Sequence, residues 1–182
     1  MIHSFYREVK TKQDMDKFDC EWAKVCEEKG VTFYPYHPNS KRFFIVDEKG
    51  NDVGTIEFTK RDPDVFSVCE GYFDFVNHSK VSKNYDEILE VGKVSIMKEH
   101  QRNGHVDKIL FLVLDYAEKH GITQCIGYIN KEFLLILLMR YGIQMELLGK
   151  EIVHEKHISI PFLCDIEKLA RRLEEKDFFR PQ

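Results

Sequence analysis

The sequence lacks the features that mark several whole classes of protein. No apolar run approaches the roughly 20 residues that span a bilayer. The longest, Phe133 to Met139, lies inside a polar context. The first ten residues hold no apolar core of a secretory signal, so a cytoplasmic protein with no membrane partner is expected. There is no basic surplus: 27 Lys and Arg face 31 Asp and Glu, a net charge of −4. That argues against a nucleic-acid partner held by a basic surface. Cys20, Cys26, Cys69, Cys125 and Cys164 are odd in number and contain no CxxC pair. A zinc knuckle is not expected, and most of the thiols read as small, inert core residues. His154 and His157 read as strand residues on opposite faces, not as a metal pair, so no metal is expected. No repeat, low-complexity tract or linker divides the chain. Its 182 residues suit one domain, 1–182.

What is present is an ordered alternation of elements. Thr11 and Asp14 have capping-box spacing, and Met15, Phe18, Trp22, Val25 and Cys26 then recur on one face. This predicts a helix that Gly30 stops. Strands are predicted over 42–47 and 53–59, joined by the turn-rich 48–52. Residues 60–87 hold Phe66, Tyr72, Phe73, Phe75 and Tyr85 among polar groups and fit no period. A strand over 88–97 leads through a polar turn to a helix from Gly104 to His120. A strand over 122–129 follows, then a helix capped by Asn130 and stopped by Gly142. Its seven-residue apolar run predicts burial against the sheet. Strands over 144–148 and 152–160 and a last helix capped by Asp165 complete the chain. This order predicts an α/β fold with a single mixed, mostly antiparallel sheet and flanking helices. One parallel strand–helix–strand unit lies at its centre.

The segment that carries chemistry is the turn before Gly104. A helix start offers unpaired N–H groups and partial positive charge, a natural seat for a diphosphate. Gly104 removes a side chain where phosphate approaches backbone, and Lys98 and Arg102 add charge. Gln101-x-x-Gly104-x-Val106, after an antiparallel strand, resembles the coenzyme A loop of the GNAT acyltransferase superfamily: Gln or Arg, two residues, Gly, one residue, Gly or Ala. Val106 departs from that pattern. Glu90-x-Gly92-Lys93-Val94 resembles the Glu-x-Ser-Arg-Phe strand of acyl-homoserine lactone synthases and the Glu-x-x-Arg of N-acyl amino acid synthases. Lys93 stands for the usual Arg, and Glu57 stands where those synthases tend to carry Arg.

The resemblance implies an acyl-CoA N-acyltransferase fold and direct transfer of an acyl group from a thioester to an amine, without an acyl-enzyme. The donor would be acetyl-CoA, a longer acyl-CoA or an acyl carrier protein. The acceptor would be a small-molecule amine or an amino acid, and a homodimer stays open. Donor contacts are implied for Ile96, Met97, Gln101, Arg102, Asn103, Gly104, His105, Val106 and Asn130. The catalytic candidates are Glu90, as the base that deprotonates the amine, and Tyr141, as an acid. The family's tyrosine position, four residues before the helix-ending glycine, is occupied here by Leu138. Lys93, Lys98, Arg102, Lys108 and Arg140 cluster in sequence around the donor turn. The aromatic stretch from Phe66 to Phe75 is a candidate pocket wall. The alternative is a catalytically inactive protein of the same fold that binds a ligand or a partner. Glu90 separates the two, facing the cleft in an enzyme and solvent in a binding module.

Overall fold

The computed structural model describes residues 5–34, 37–62, 64–65, 67 and 69–176. The chain runs β1 (Tyr6–Glu8), α1 (Lys12–Lys29), β2 (Ser40–Val46), β3 (Asp52–Lys60) and β4 (Ile88–Ile96). It continues with α2 (Val106–His120), β5 (Gln124–Asn130) and α3 (Lys131–Ile136), which runs on into a π-helical turn, Leu137–Tyr141. The two-residue strands β6 (Glu146–Leu147) and β7 (Ile152–Val153), then β8 (Ile158–Asp165) and α4 (Ile166–Glu175), complete the order.

The strands form one sheet in the order β1-β2-β3-β4-β5-β8-β6, with β7 on β8. Among the described residues only β4 and β5 pair in parallel. The crossover between them is α2, as a parallel pair requires. Because both faces of the sheet are covered, β2 reads as a continuous apolar run instead of alternating. Phe43 and Ile45 join the main core with Leu112 and Val113 of α2 and Leu169 and Leu173 of α4. Phe44 turns the other way, to Phe18 of α1. Burying Phe18 and Phe44 completely contributes on the order of 2–3 kcal/mol each.

The helix ends follow the sequence signals. Thr11 and Asp14 form the capping box, worth about 1 kcal/mol, and Gly30, Gly121 and Gly142 end their helices in the left-handed conformation. Asn130 and Asp165 cap through their side chains.

Three expectations are corrected. The helix predicted from Gly104 begins at Val106, with His105 at its cap. The strand predicted over 152–160 is two strands joined by a turn, because His154 N–H donates to the His157 carbonyl (2.7 Å) and closes a hairpin. His154 and His157 therefore lie on one side with their rings stacked, 5.6 Å apart. The apolar run in α3 is not buried throughout: Leu137 is, but Leu135, Ile136, Leu138 and Met139 are exposed. Seven consecutive apolar residues cover every face of a helix, and the sheet takes only one. Cys26, Cys125 and Cys164 are buried, as expected for most of the thiols, Cys69 is half-buried and Cys20 is exposed.

Candidate active site

The centre of the sheet comes apart. β4 and β5 pair from Ile88 with Gln124 to Val91 with Gly127, and their pairing ends there. β4 runs on to Ile96 and β5 to Asn130. Gly127 marks the last close approach, since a Cβ there would meet the Val91 carbonyl at 2.5 Å. Just beyond, β4 carries a bulge. Glu57 of β3 opposes Gly92 and Thr55 opposes Ser95, so two residues of β4 face one of β3. Lys93, within the bulge, is left-handed at φ 49°. A side chain in that conformation costs about 1–2 kcal/mol, so surrounding contacts must hold it.

Those contacts are charged. Lys93 Nζ donates to Glu57 (2.9 Å), and Arg42 Nε donates to the same oxygen (2.6 Å). Asp19 of α1 reaches Arg42 at 2.9 Å. Lys93 is thus turned towards β3, to Glu57. Burial lowers the Lys93 ammonium pKa even though Glu57 favours the charged form.

A cavity of about 220 Å³ opens over this floor. Glu90, Gly92 and Lys93 of β4, Tyr128 of β5, Ser159 of β8 and Trp22 of α1 line it. Glu90 is only 6% exposed, and Ser67 Oγ donates to its carboxylate (2.6 Å). Ser67 in turn accepts from the Cys69 N–H (3.0 Å), and the Tyr128 hydroxyl donates to the Cys69 carbonyl. Burial raises the Glu90 pKa above the usual glutamate value, partly offset by Ser67 and Arg61. Of the aromatic stretch, Tyr72 lines the cavity, whereas Phe73 and Phe75 fill a separate core cluster. Phe66 lies outside the described residues.

The turn before α2 follows directly on the open end of β4. Met97 N–H donates to the Val53 carbonyl (2.9 Å), so it faces β3. Backbone groups alternate along a strand, so the Ile96 N–H and carbonyl face the open side. Gln101 Nε2 donates to that Ile96 carbonyl (3.0 Å). Arg102 and Gly104 are left-handed, at φ 67° and 80°. No side chain caps α2. Around Gly104 the backbone is bare, with Arg140 Nη2 3.9 Å from where a Cβ would sit. Lys98, Gln101, Arg102 and Asn103 are exposed at the turn.

Other candidate residues are placed differently. His105 is 7% exposed rather than an open loop residue, and burial lowers its pKa. Lys108 points into the fold, donating to the Val46 carbonyl and Glu48 (both 2.9 Å), so it adds no charge at the turn. Asn130 Oδ1 accepts from Phe133 N–H (2.6 Å) as a helix cap. Tyr141 is buried on the far side from Glu90, its hydroxyl donating to Asp107 in the first turn of α2. Burial and Asp107 both raise its pKa.

Sequence patterns missed His154, His157, Ser159 and Tyr128 as cavity residues. The hairpin that turns the two histidines inward was hidden in a continuous-looking strand. A more open groove of about 1040 Å³ lies at the other end of β2 and β3, lined by Lys41, Lys60, Arg61 and Asp86. It holds none of the motif residues.

No protein-family model matches the sequence, and no curated protein matches it by sequence. Solved structures do match. FeeM, an N-acyl amino acid synthase from uncultured soil microbes, superposes with a TM-score of 0.72 over 96% of this chain and 97% of that one, at 12% identity. The chain has the GNAT acyltransferase fold. BjaI, a CoA-dependent acyl-homoserine lactone synthase, shares that GNAT fold at a TM-score of 0.66 and 13% identity, over 92% of this chain and 82% of its own. The spermidine/spermine N-acetyltransferase SpeG from Vibrio cholerae matches less closely, at 0.56 and 12% identity, over 92% and 97% of the two chains. Among the described residues no cluster of three or more metal-ligating side chains occurs, and no helix is long and apolar enough to cross a membrane.

Proposed function

We propose that this chain is an N-acyltransferase that moves an acyl group from a thioester of coenzyme A or of an acyl carrier protein to the amine of a small molecule. The observation that carries this reading is the parting of β4 and β5 between two sites. The bare turn at Gly104, leading into the start of α2, lies at one end, and a buried carboxyl, Glu90, lines the cavity at the other. Structures of the same fold with acyl-transferring names support it.

The diphosphate of coenzyme A fits the turn 101–106, where the amides of Asn103 to Val106 and the positive end of α2 supply what an anion needs. Arg102 and Lys98 add charge beside it. The thioester then lies along β4, where the Ile96 N–H is the donor for the carbonyl oxygen as it gains charge. The amine waits in the cavity and loses its proton to Glu90, directly or through one water. Its nitrogen bonds to the carbonyl carbon, the C–S bond breaks, and the departing thiolate is protonated by water. Tyr141 keeps its proton and acts on the donor side, holding Asp107 and with it the first turn of α2.

The donor half is tested by Gly104→Glu. A carboxylate at a left-handed position beside the phosphates brings like charge to the helix start and is expected to raise the Kd for acetyl-CoA by about tenfold or more. Isothermal titration reads it directly. Unchanged affinity would place the donor elsewhere.

A further inference from the structure

The cavity wall names a class of acceptor. We propose, resting on the acyl-transfer reading above, that the acceptor is a primary amine joined by a short chain to a flat aromatic ring and carrying no carboxylate.

The ring comes from the wall. Tyr72 stands edge-on to Tyr128 (6.2 Å, 88°) and to His154 (5.7 Å, 73°), and His154 stacks on His157 (5.6 Å, 22°). Trp22 and Tyr34 come from other segments of the chain, and the Tyr34 hydroxyl lies 3.3 Å from that of Tyr72. This arrangement continues the face and edge spacings that aromatic pairs prefer, so a planar guest extends the array. The cavity, about 220 Å³, has room for one aromatic ring with a short chain.

The charge comes from the floor. Two carboxyl groups, Glu57 and Glu90, line the cavity against one ammonium, Lys93. Lys93 and Arg42 both converge on Glu57, and Arg42 also reaches Asp19 (2.9 Å), so these two cations are matched by two carboxylates. Arg61, the cation beside Glu90, is held by Glu70. The charge at the floor is thus left with Glu90 in surplus. An ammonium meets that carboxylate and the faces of electron-rich rings, both attractive. A carboxylate on the same molecule would meet an acidic floor whose cations are already engaged. His157 adds no opposing charge at neutral pH, since burial and nearby Lys29 lower its pKa.

Trp22 is the only tryptophan in the chain and lines this cavity, so its fluorescence reports occupancy without a donor. Titration with 2-phenylethylamine is expected to change the emission saturably. L-Phenylalanine and 1,4-diaminobutane are each expected to bind at least about tenfold more weakly. Tyr72→Leu should weaken phenylethylamine while leaving the thermal shift by acetyl-CoA unchanged. Phenylalanine binding as tightly as phenylethylamine would overturn the exclusion of carboxylates. Diaminobutane binding as tightly would overturn the aromatic requirement. Thiol release from acetyl-CoA with other amines, but never with phenylethylamine, would overturn the acceptor class and leave acyl transfer standing. Absence of thiol release with every amine would instead strike the acyl-transfer reading itself.

Discussion

Glu90→Gln is expected to lower kcat/KM for acyl transfer by 10²–10⁴, the usual contribution of a positioned base. Glutamine keeps the shape and accepts the Ser67 hydrogen bond, but cannot take the proton. In the parent protein the base must be ionised. Burial raises its pKa above the ordinary 4.5, so the acidic limb of the rate profile should lie above that value and vanish in the variant. The same shift has a stability consequence. Between 4.5 and the raised value the folded chain holds a proton that the unfolded chain has released, so stability falls as pH rises through that window. Chemical denaturation across pH should show this fall in the parent and not in Glu90→Gln. A variant that retains full rate would remove Glu90 from the chemistry.

Glu57→Gln should have the largest effect on folding. It removes the carboxylate on which Arg42 and Lys93 converge, both almost fully buried. Breaking a buried ion network from one side costs about 3–5 kcal/mol, because the remaining charges lose their compensation. For a chain of this length that lowers Tm by roughly 10 °C. Lys119→Ala provides the contrast: its pairing with Asp115 is exposed, and its loss should cost under about 1 kcal/mol. Equal small losses in both variants would show that the network is not stabilising. Lys93 also stands in a left-handed bulge held by Glu57, so Glu57→Gln should disturb the cavity floor and weaken amine binding as well.

Much of this architecture is legible in the residues themselves. Thr11, Gly30, Asn130, Gly142 and Asp165 mark helix ends because capping is local chemistry, settled within three or four residues. The Gly104 turn could be read for the same reason. The cavity was harder to read because it is assembled over long separations. Ser67 meets Glu90 and Tyr128 meets Cys69 over separations of 23 and 59 residues, and Ser67, Cys69 and Tyr72 reach the cavity from a stretch with little periodic structure. The bulge at Lys93 is a backbone event that side-chain alternation conceals. His154 and His157 look like strand residues until the turn between them is known. The charge cluster around the donor turn failed in part because sequence neighbours on a helix point different ways, and Lys108 points inward.

The most direct measurement is stoichiometric. Free thiol and amide product are followed together when the protein is mixed with acyl-CoA, or with acylated carrier protein, and an amine. One thiol should appear for each amide formed, only when amine is present, and about 10²–10⁴ times more slowly in Glu90→Gln. No thiol above the uncatalysed rate with any thioester, together with no thermal shift by any of them, would contradict acyl transfer and leave a fold that binds something else.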